Sequence, residues 1–143
     1  MIKYIKHKNK TLAIIIGINK KKPGLNFYTP ENLSHQVGYM KYNKNHLITP
    51  HVHFKNLRTV DITSEVLILT KGKLRVDFYS NSQKYLFSKM LIKNQIIILI
   101  SGGHGFKSLS PIEMLEIKQG PYSKKKDKKT FSFIDENKIK WVK

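Results

Sequence analysis

The most constraining feature of this sequence is a series of short apolar segments, each followed by residues that favour turns. The segments are rich in Ile, Val, Leu, Tyr and Phe, and none keeps a helical period over about twelve residues. Gly, Pro, Asn and Ser separate them. Many short strands at this spacing predict an all-β sandwich or a jelly-roll barrel. The predicted strands cover residues 11–18, 36–42, 64–70, 72–79, 84–87, 95–100 and 112–117.

Two of these strands predict how the sheet is built. Residues 73–79 alternate with period two, so Arg75, Asp77 and Tyr79 share the polar face of a half-buried strand. That polar face either meets solvent or lines a ligand site. Residues 95–100 are almost continuously apolar, which predicts a strand in the centre of a sheet.

The chain has 143 residues, which fits one domain. We predict a core of about residues 36–121, preceded by an N-terminal strand arm at 11–35. A basic loop and a C-terminal tail follow at 122–143. The tail carries enough apolar surface to pack back on the barrel or on a partner chain, through Phe131, Phe133, Ile139 and Trp141.

The charge of the chain indicates which kinds of partner it can attract. The net charge is +18, from 27 Lys plus Arg against 9 acids, and such a field attracts anions. Only Arg58 and Arg75 are arginines, so the chain has few side chains for bidentate recognition of phosphates or guanines, and we do not expect nucleic acid as a partner. The excess of Lys, Asn and Ile is also typical of an AT-rich genome. There is no cysteine, which excludes disulfides, thiolate metal sites and cysteine nucleophiles.

The N-terminal apolar run is short. Residues 12–18 follow several lysines as in a signal peptide, but no small-residue cleavage pattern comes after them. No run approaches the roughly 20 apolar residues of a membrane helix. We therefore predict a strand at 11–18 and a cytoplasmic protein. We further expect this strand to lie at a sheet edge and to pair with a second copy, giving a homodimer.

Histidine spacing points to a metal site. His51 and His53 are two positions apart, so on a strand they face one side and lie about 6–7 Å apart along the chain. Two imidazoles so placed can bind one metal ion. Glu65 opens an apolar strand that ends at Gly72, and His104 lies among three glycines that allow close approach of the backbone.

This order of residues resembles the paired motifs of the cupin superfamily: His-x-His, then Glu, six residues and Gly, then a glycine turn with His after a strand. The likeness covers about residues 45–121, although eleven residues separate the second histidine from Glu65, more than is usual in cupins. It implies a double-stranded β-helix, the cupin jelly-roll barrel, with N- and C-terminal extensions. It also implies one divalent metal ion inside the barrel, bound by His51, His53, Glu65 and His104.

A narrower likeness, to a group of small bacterial cupins, rests on residues 64–67, 71–72, 75–79, 102–106 and 116–122. It implies a role in cell-surface carbohydrate metabolism. Four further side chains are candidates to orient an anionic or hydroxyl-rich ligand beside the metal, since arginine offers a planar fork of donors. They are Arg58, Arg75, Lys118 and Gln119.

The expected function is that of a metal-dependent enzyme. Three histidines and one carboxylate leave open positions on the ion, where a metal can polarise a carbonyl, stabilise an enolate or activate oxygen. Iron, manganese, nickel and zinc all accept these ligands, and the sequence does not choose between them. We expect a small anionic, sugar-derived substrate and an isomerase, epimerase or oxygenase reaction, with the catalytic residues left open. The alternative is a cupin that binds or senses a small ligand without catalysis.

Overall fold

The computed structural model describes residues 1–18, 22–121 and 127–142. Within these ranges the chain is almost entirely antiparallel β-sheet and loop, which confirms the all-β class. A 3-10 turn at Glu136–Lys138 is the one helical element described. No described helix has the length and hydropathy to cross a membrane. The strands, β1 to β10 in chain order, are Ile2–His7, Lys10–Gly17, Gly24–Phe27, Gly38–Lys41, Glu65–Lys71, Lys73–Tyr79, Tyr85–Ile92, Gln95–Leu99, Gly103–Ser108 and Glu113–Lys118.

The larger sheet has five strands in the order β1-β2-β8-β5-β10. Strand β8 lies in the middle, as its continuous apolar run predicts. Ile97 belongs to the core on one face of this sheet, and Ile98 belongs to a second buried cluster on the other face. Burial of both faces explains why these strands are apolar at nearly every position.

The smaller sheet has three strands in the order β7-β6-β9. Leu74, Val76 and Phe78 of β6 are at most 1% exposed, and they share one core with Leu67 and Ile97 of the larger sheet. The two sheets therefore pack face to face around this core.

Residues 28–37 cover the outer face of the larger sheet. Tyr28, Leu33 and Val37 pack there against the buried cluster that contains Ile14. The segment continues into β4, which pairs with β3 as a separate two-stranded sheet. This arm explains how the larger sheet keeps apolar side chains on a face turned away from the main core.

The C-terminal tail, residues 127–142, covers the outer face of the smaller sheet. The ring of Phe131 packs edge-on against Tyr79 at 5.0 Å between centroids. Beside it Arg75 and Asp77 are only 2% and 0% exposed, so the polar face of β6 is not a solvent face. The tail was expected to pack either on its own chain or on a partner chain, and it packs on its own chain.

All the predicted strands have counterparts, and β7 runs to Ile92, beyond the predicted 84–87. Strands β1, β3 and β9 were not predicted. Strand β9 contains Gly103 and Gly105, residues that disfavour strands, and pairing with β6 over its whole length outweighs that preference. The predicted basic loop lies partly outside the described residues, at 122–126.

Strand β2 corrects one expectation. It lies between β1 and β8, not at a sheet edge, because residues 2–7 pair with it along its length. The prediction that residues 11–18 form an edge that pairs with a second copy is therefore wrong.

The His-x-His pair does not lie on a strand, the setting in which its two rings would face one side. Residues 42–64 contain no regular strand, and every residue from 41 to 63 is exposed. Strands β9 and β10 end their sheets with no further strand beside them in the part of the chain described, so no closed barrel is seen there. The fold is an antiparallel β-sandwich that is open along these two edges.

Candidate functional site

A cavity of about 870 Å³ lies beside β9 and β10, which are one edge strand of each sheet. Strand β5 contributes Glu65 and Leu67 to its wall, and β9 contributes His104 and Phe106. The remaining lining comes from the approach to β5, from the end of β6, from the turn before β9, from the glycines of β9, from β10 and from the tail: Ile62, Thr63, Tyr79, Gly102, Gly103, Gly105, Met114, Glu116, Lys118 and residues 127–133.

Glu65 and His104 meet in this cavity, with Nε2 of His104 3.0 Å from Oε2 of Glu65. Glu65 opens β5 two positions before Leu67, a core residue, so strand alternation turns its carboxylate to the inside of the sandwich. Their side chains keep only 29% (His104) and 16% (Glu65) of their exposure. An acid at the start of an apolar strand normally points to water, and here it does not.

The electrostatics favour the ionised carboxylate. The hydrogen bond from His104 holds the pKa of Glu65 below its ordinary value, against the opposing effect of burial. The positive charges of Lys118 and Lys128 act in the same direction as His104. The cavity therefore holds an ionised carboxylate next to an imidazole, with lysines beside them.

The glycine turn places His104. Gly102 has φ +78°, a conformation that side chains rarely adopt, and a Cβ there would lie 2.6 Å from the carbonyl oxygen of Tyr79. The chain can therefore turn tightly against the end of β6 and start β9 at Gly103. His104 and Phe106 then alternate to the face opposite Gly103 and Gly105.

His51 and His53 lie in the exposed segment 41–63. Their rings are 5.2 Å apart between centroids and nearly perpendicular. Nδ1 of His51 lies 3.0 Å from the carbonyl oxygen of Thr49, which can only accept, so this bond leaves Nε2 as the acceptor nitrogen. A backbone carbonyl bonded to one ring nitrogen is a common way to orient a metal-binding histidine.

The four predicted ligands thus form two pairs, Glu65 with His104 and His51 with His53. Among the described residues no group of three or more His, Asp or Glu side chains is placed to hold a metal ion. The four-ligand metal site stays a prediction.

Of the four predicted ligand-orienting residues, only Lys118 lines the cavity. Arg58 is exposed in the segment 41–63. Arg75 is buried on the outer face of β6, with its donors on Asp77 and Glu136.

Gln119, the fourth predicted ligand-orienting residue, joins three segments of the chain by hydrogen bonds. Its amide accepts from the backbone N–H of Ser64 at 2.8 Å and donates to the hydroxyls of Ser34 and Ser64, both at 3.0 Å. Nδ1 of His35 lies 2.8 Å from the same Ser64 hydroxyl. This network holds the residue before Glu65 in place. Sequence reasoning missed it because the partners come from distant segments.

The sequence also gave no sign that the tail walls the cavity. Phe131 and Phe133 were recognised as apolar residues that need a surface, but no spacing links them to His104. Their position follows from the glycines of β9, whose missing side chains leave room for both rings: a Cβ on Gly103 would lie 3.0 Å from Phe131, and one on Gly105 3.5 Å from Phe133.

The fold and the site define an all-β protein with a carboxylate–imidazole pair in a cavity between two antiparallel sheets. Comparisons of the chain with protein-family models, with curated proteins and with solved structures find no match. The function proposed next rests on the residues and motifs of this chain.

Proposed function

We propose that this chain is a cupin-type metalloprotein that binds one divalent metal ion through His51, His53, Glu65 and His104. The observation that carries the proposal is the contact between Glu65 and His104. These two residues are far apart in the sequence, the motif likeness selects both as ligands, and their side chains meet inside a cavity.

The spacing of this pair fits a metal. Ligand atoms about 2.1 Å from one ion and about 90° apart would lie about 3.0 Å from each other. The nitrogen of His104 and the oxygen of Glu65 are 3.0 Å apart. An ionised carboxylate is the form that binds a cation, and at Nε2 of His104 the metal would take the place of the proton that is donated to Glu65.

The proposal requires the segment that carries His51 and His53 to close over the cavity. Ile62 and Thr63 line the cavity, so this segment starts at its mouth. The ten residues back to His53 span up to about 33 Å, which is ample reach. The open edge of β9 offers backbone groups that such a segment can pair with.

When bound, the metal would act as a Lewis acid towards a carbonyl or an oxygen ligand of the substrate. Lys118 and Lys128 would attract a small anionic substrate, and we favour a sugar derivative acted on by an isomerase, epimerase or oxygenase reaction in cell-surface carbohydrate metabolism. The aromatic wall of Phe106, Phe131 and Phe133 would exclude water and contact the apolar face of such a ligand. We also propose that the protein is cytoplasmic.

Metal content tests the proposal directly. The protein is purified without added metal, and bound iron, manganese, nickel and zinc are measured by elemental analysis. We expect one ion per chain in the native protein and in His46→Ala, a control histidine outside the cavity. We expect its loss in His104→Ala and in Glu65→Gln. Equal metal content in all four proteins would overturn the proposal, and circular dichroism verifies that each variant is folded.

The alternative is a binding protein without catalysis, and the apolar wall of the cavity favours it. Turnover of sugar-derived anions, measured with metal restored and again with a chelator, separates the two functions. Chelator-sensitive turnover supports the enzyme. Metal binding that accompanies ligand binding without turnover supports the alternative.

We further propose a homodimer, now through the exposed segment 41–63. If His51 and His53 face the cavity from an extended strand, Val52 and Phe54 face away from it. These two apolar side chains are 81% and 91% exposed. A second copy is the partner that can cover the same surface on both chains at once.

A further inference from the structure

The C-terminal tail has two parts with different surroundings. Residues 127–133 line the cavity that holds Glu65 and His104. Residues 134–142 follow directly and are bonded to the outer face of the smaller sheet. Contacts that hold residues 134–142 on the sheet therefore also restrict where residues 127–133 can lie.

One attachment is an ion pair between Glu136 and Arg75. Nη1 of Arg75 donates to both carboxylate oxygens of Glu136, at 2.8 and 3.1 Å. Lys107 of β9 adds a contact of 2.9 Å from its Nζ. These hydrogen bonds, first from Arg75 and then from Lys107, lower the pKa of Glu136 to about 2, so the carboxylate is ionised at neutral pH.

Arg75 is itself fixed from the side of the sheet. Its side chain is 3% exposed, and its Nε and Nη2 donate to Asp77 at 3.2 and 3.0 Å. Asp77 also accepts a hydrogen bond from the hydroxyl of Ser88 on β7. The guanidinium therefore offers a rigid, charged anchor to the tail, with little freedom to follow it.

A second attachment lies at the end of the tail. The N–H of Lys140 donates to the hydroxyl of Tyr85 at 2.9 Å, and its carbonyl accepts from the N–H of Ser88 at 2.7 Å. The N–H of Val142 donates to the carbonyl of Ser88 at 3.0 Å. Trp141, the one tryptophan of the chain, lies between these bonds and makes a parallel bridge with Ser88.

The two parts of the tail meet beside Tyr79. Phe131 of the cavity part packs edge-on against its ring, and the N–H of Ile134, the first residue of the second part, donates to its hydroxyl at 3.2 Å. Glu136, three residues after the cavity part, makes charged contacts with Arg75 and Lys107. Loss of this anchor is expected to release the wall before it releases the end of the tail.

We propose that Arg75 and Glu136 are positioning residues for the cavity, because their ion pair keeps residues 127–133 beside Glu65 and His104. The inference deepens the proposed function and rests on it for the use of the cavity. Neither residue lines the cavity. Their effect is on the shape and the accessibility of the site.

Glu136→Gln tests the proposal, with Glu113→Gln as a matched control. Glu113 forms an exposed ion pair with Lys71 at 3.0 Å and is 66% exposed, close to the 60% of Glu136. Both substitutions remove one surface charge and keep the size of the side chain. The full chain is used after treatment with a chelator, so that the readouts need neither a metal nor a substrate.

Three readouts separate positioning from a general loss of stability. Hydrogen exchange of residues 127–134 measures the freedom of the wall. Carbethoxylation of His104 by diethyl pyrocarbonate, followed by peptide mass spectrometry, measures access to the site, with exposed His51 as the internal reference. Quenching of Trp141 fluorescence by acrylamide measures the end of the tail.

We expect Glu136→Gln to raise both the exchange of the wall and the modification rate of His104 by roughly fivefold, with His51 unchanged. We expect Glu113→Gln to match the native protein, and Lys107→Met, which keeps the Arg75 pair, to have a smaller effect. Faster exchange without faster modification of His104 would overturn the positioning role. No change in either would overturn the anchor itself. Failure of the metal proposal appears only in metal content, so the two failures are distinguishable.

Discussion

Asp77 is fully buried, and all of its described partners are polar. Arg75 donates to its carboxylate from two nitrogens, and the hydroxyl of Ser88 donates to it from the neighbouring strand. The hydroxyl of Tyr85 lies 2.7 Å from that of Ser88, which extends the network to the tail. A buried charge is tolerated only when it is paired and hydrogen-bonded in this way.

Asp77→Asn should therefore be strongly destabilising. Asparagine keeps the volume but removes the charge that balances buried Arg75, and we expect a loss of about 3 kcal/mol in the free energy of unfolding. Urea denaturation measures this loss. Asp135→Asn is the control, because Asp135 makes an exposed pair with Lys138 and its loss should leave the midpoint unchanged. An Asp77→Asn midpoint close to the native value would show that the network contributes little.

Glu65 shows which part of the candidate site could be predicted from the sequence. Motif likeness selected it together with His104, and the structure brings these two into contact. Local pattern alone would have left Glu65 in water, because only the packing of Leu67 fixes which face of β5 points inward. Arg75 shows the opposite case. Its strand face was predicted correctly, but the tail that covers that face comes from the far end of the chain, and no local pattern records it.

At the level of elements, the strands with clear apolar runs were predictable and the irregular ones were not. Strand β1 interrupts its apolar positions with Lys3 and Lys6, and one of its faces stays exposed: Ile2 and Tyr4 are 42% and 47% accessible. It forms because β2 offers a full-length antiparallel partner. Pairing between strands, which a single segment does not encode, decides such cases.

The turn before β9 yields a second prediction. Gly102 and Gly24 have similar positive φ angles, +78° and +81°, but only Gly102 lies against other atoms. We expect Gly24→Ala to cost about 1 kcal/mol from backbone strain alone. Gly102→Ala should cost at least about 2 kcal/mol, because its methyl group also meets the carbonyl of Tyr79. Urea denaturation compares the two, and equal losses would show that the turn relaxes away from β6.

The tail yields a third prediction, on pH. The pKa of Glu136 falls from 4.5 to about 2 in the fold, through its hydrogen bonds to Arg75 and Lys107. A lowered pKa stabilises the fold fully above pH 4.5 and loses this effect as the pH falls towards about 2. The native protein should therefore melt above Glu136→Gln by a constant margin from neutral pH to about 4.5, and the margin should narrow below it. Thermal melts at a series of pH values measure this, and a margin that widens in acid would contradict the assignment.

The whole molecule combines an open sandwich with a long uncovered segment. Residues 41–63 are all exposed, and they carry large apolar side chains, among them Leu47, Phe54 and Leu57 at 88–91% exposure. Strand β10 adds Leu115 and Ile117, which are more than half exposed at a sheet edge. Apolar surface of this extent normally marks a site that another surface covers. A stable protein interface takes roughly 20–30 residues a side, which this segment and β10 together can supply.

A second copy of the chain is the partner that this surface predicts, and solution mass tests it. Light scattering should give twice the 16.7 kDa of one chain for the native protein. Val52→Ser combined with Phe54→Ser should shift the mass towards one chain at low concentration, because in the proposed extended strand both side chains would lie on the face opposite the histidines. Leu109→Ser, an exposed site in the turn after β9, should leave the mass unchanged. A native protein with the mass of one chain at every concentration would refute the dimer. If the double variant then lost stability without a change of mass, the same segment would cover its own chain, as closure of the cavity by His51 and His53 requires.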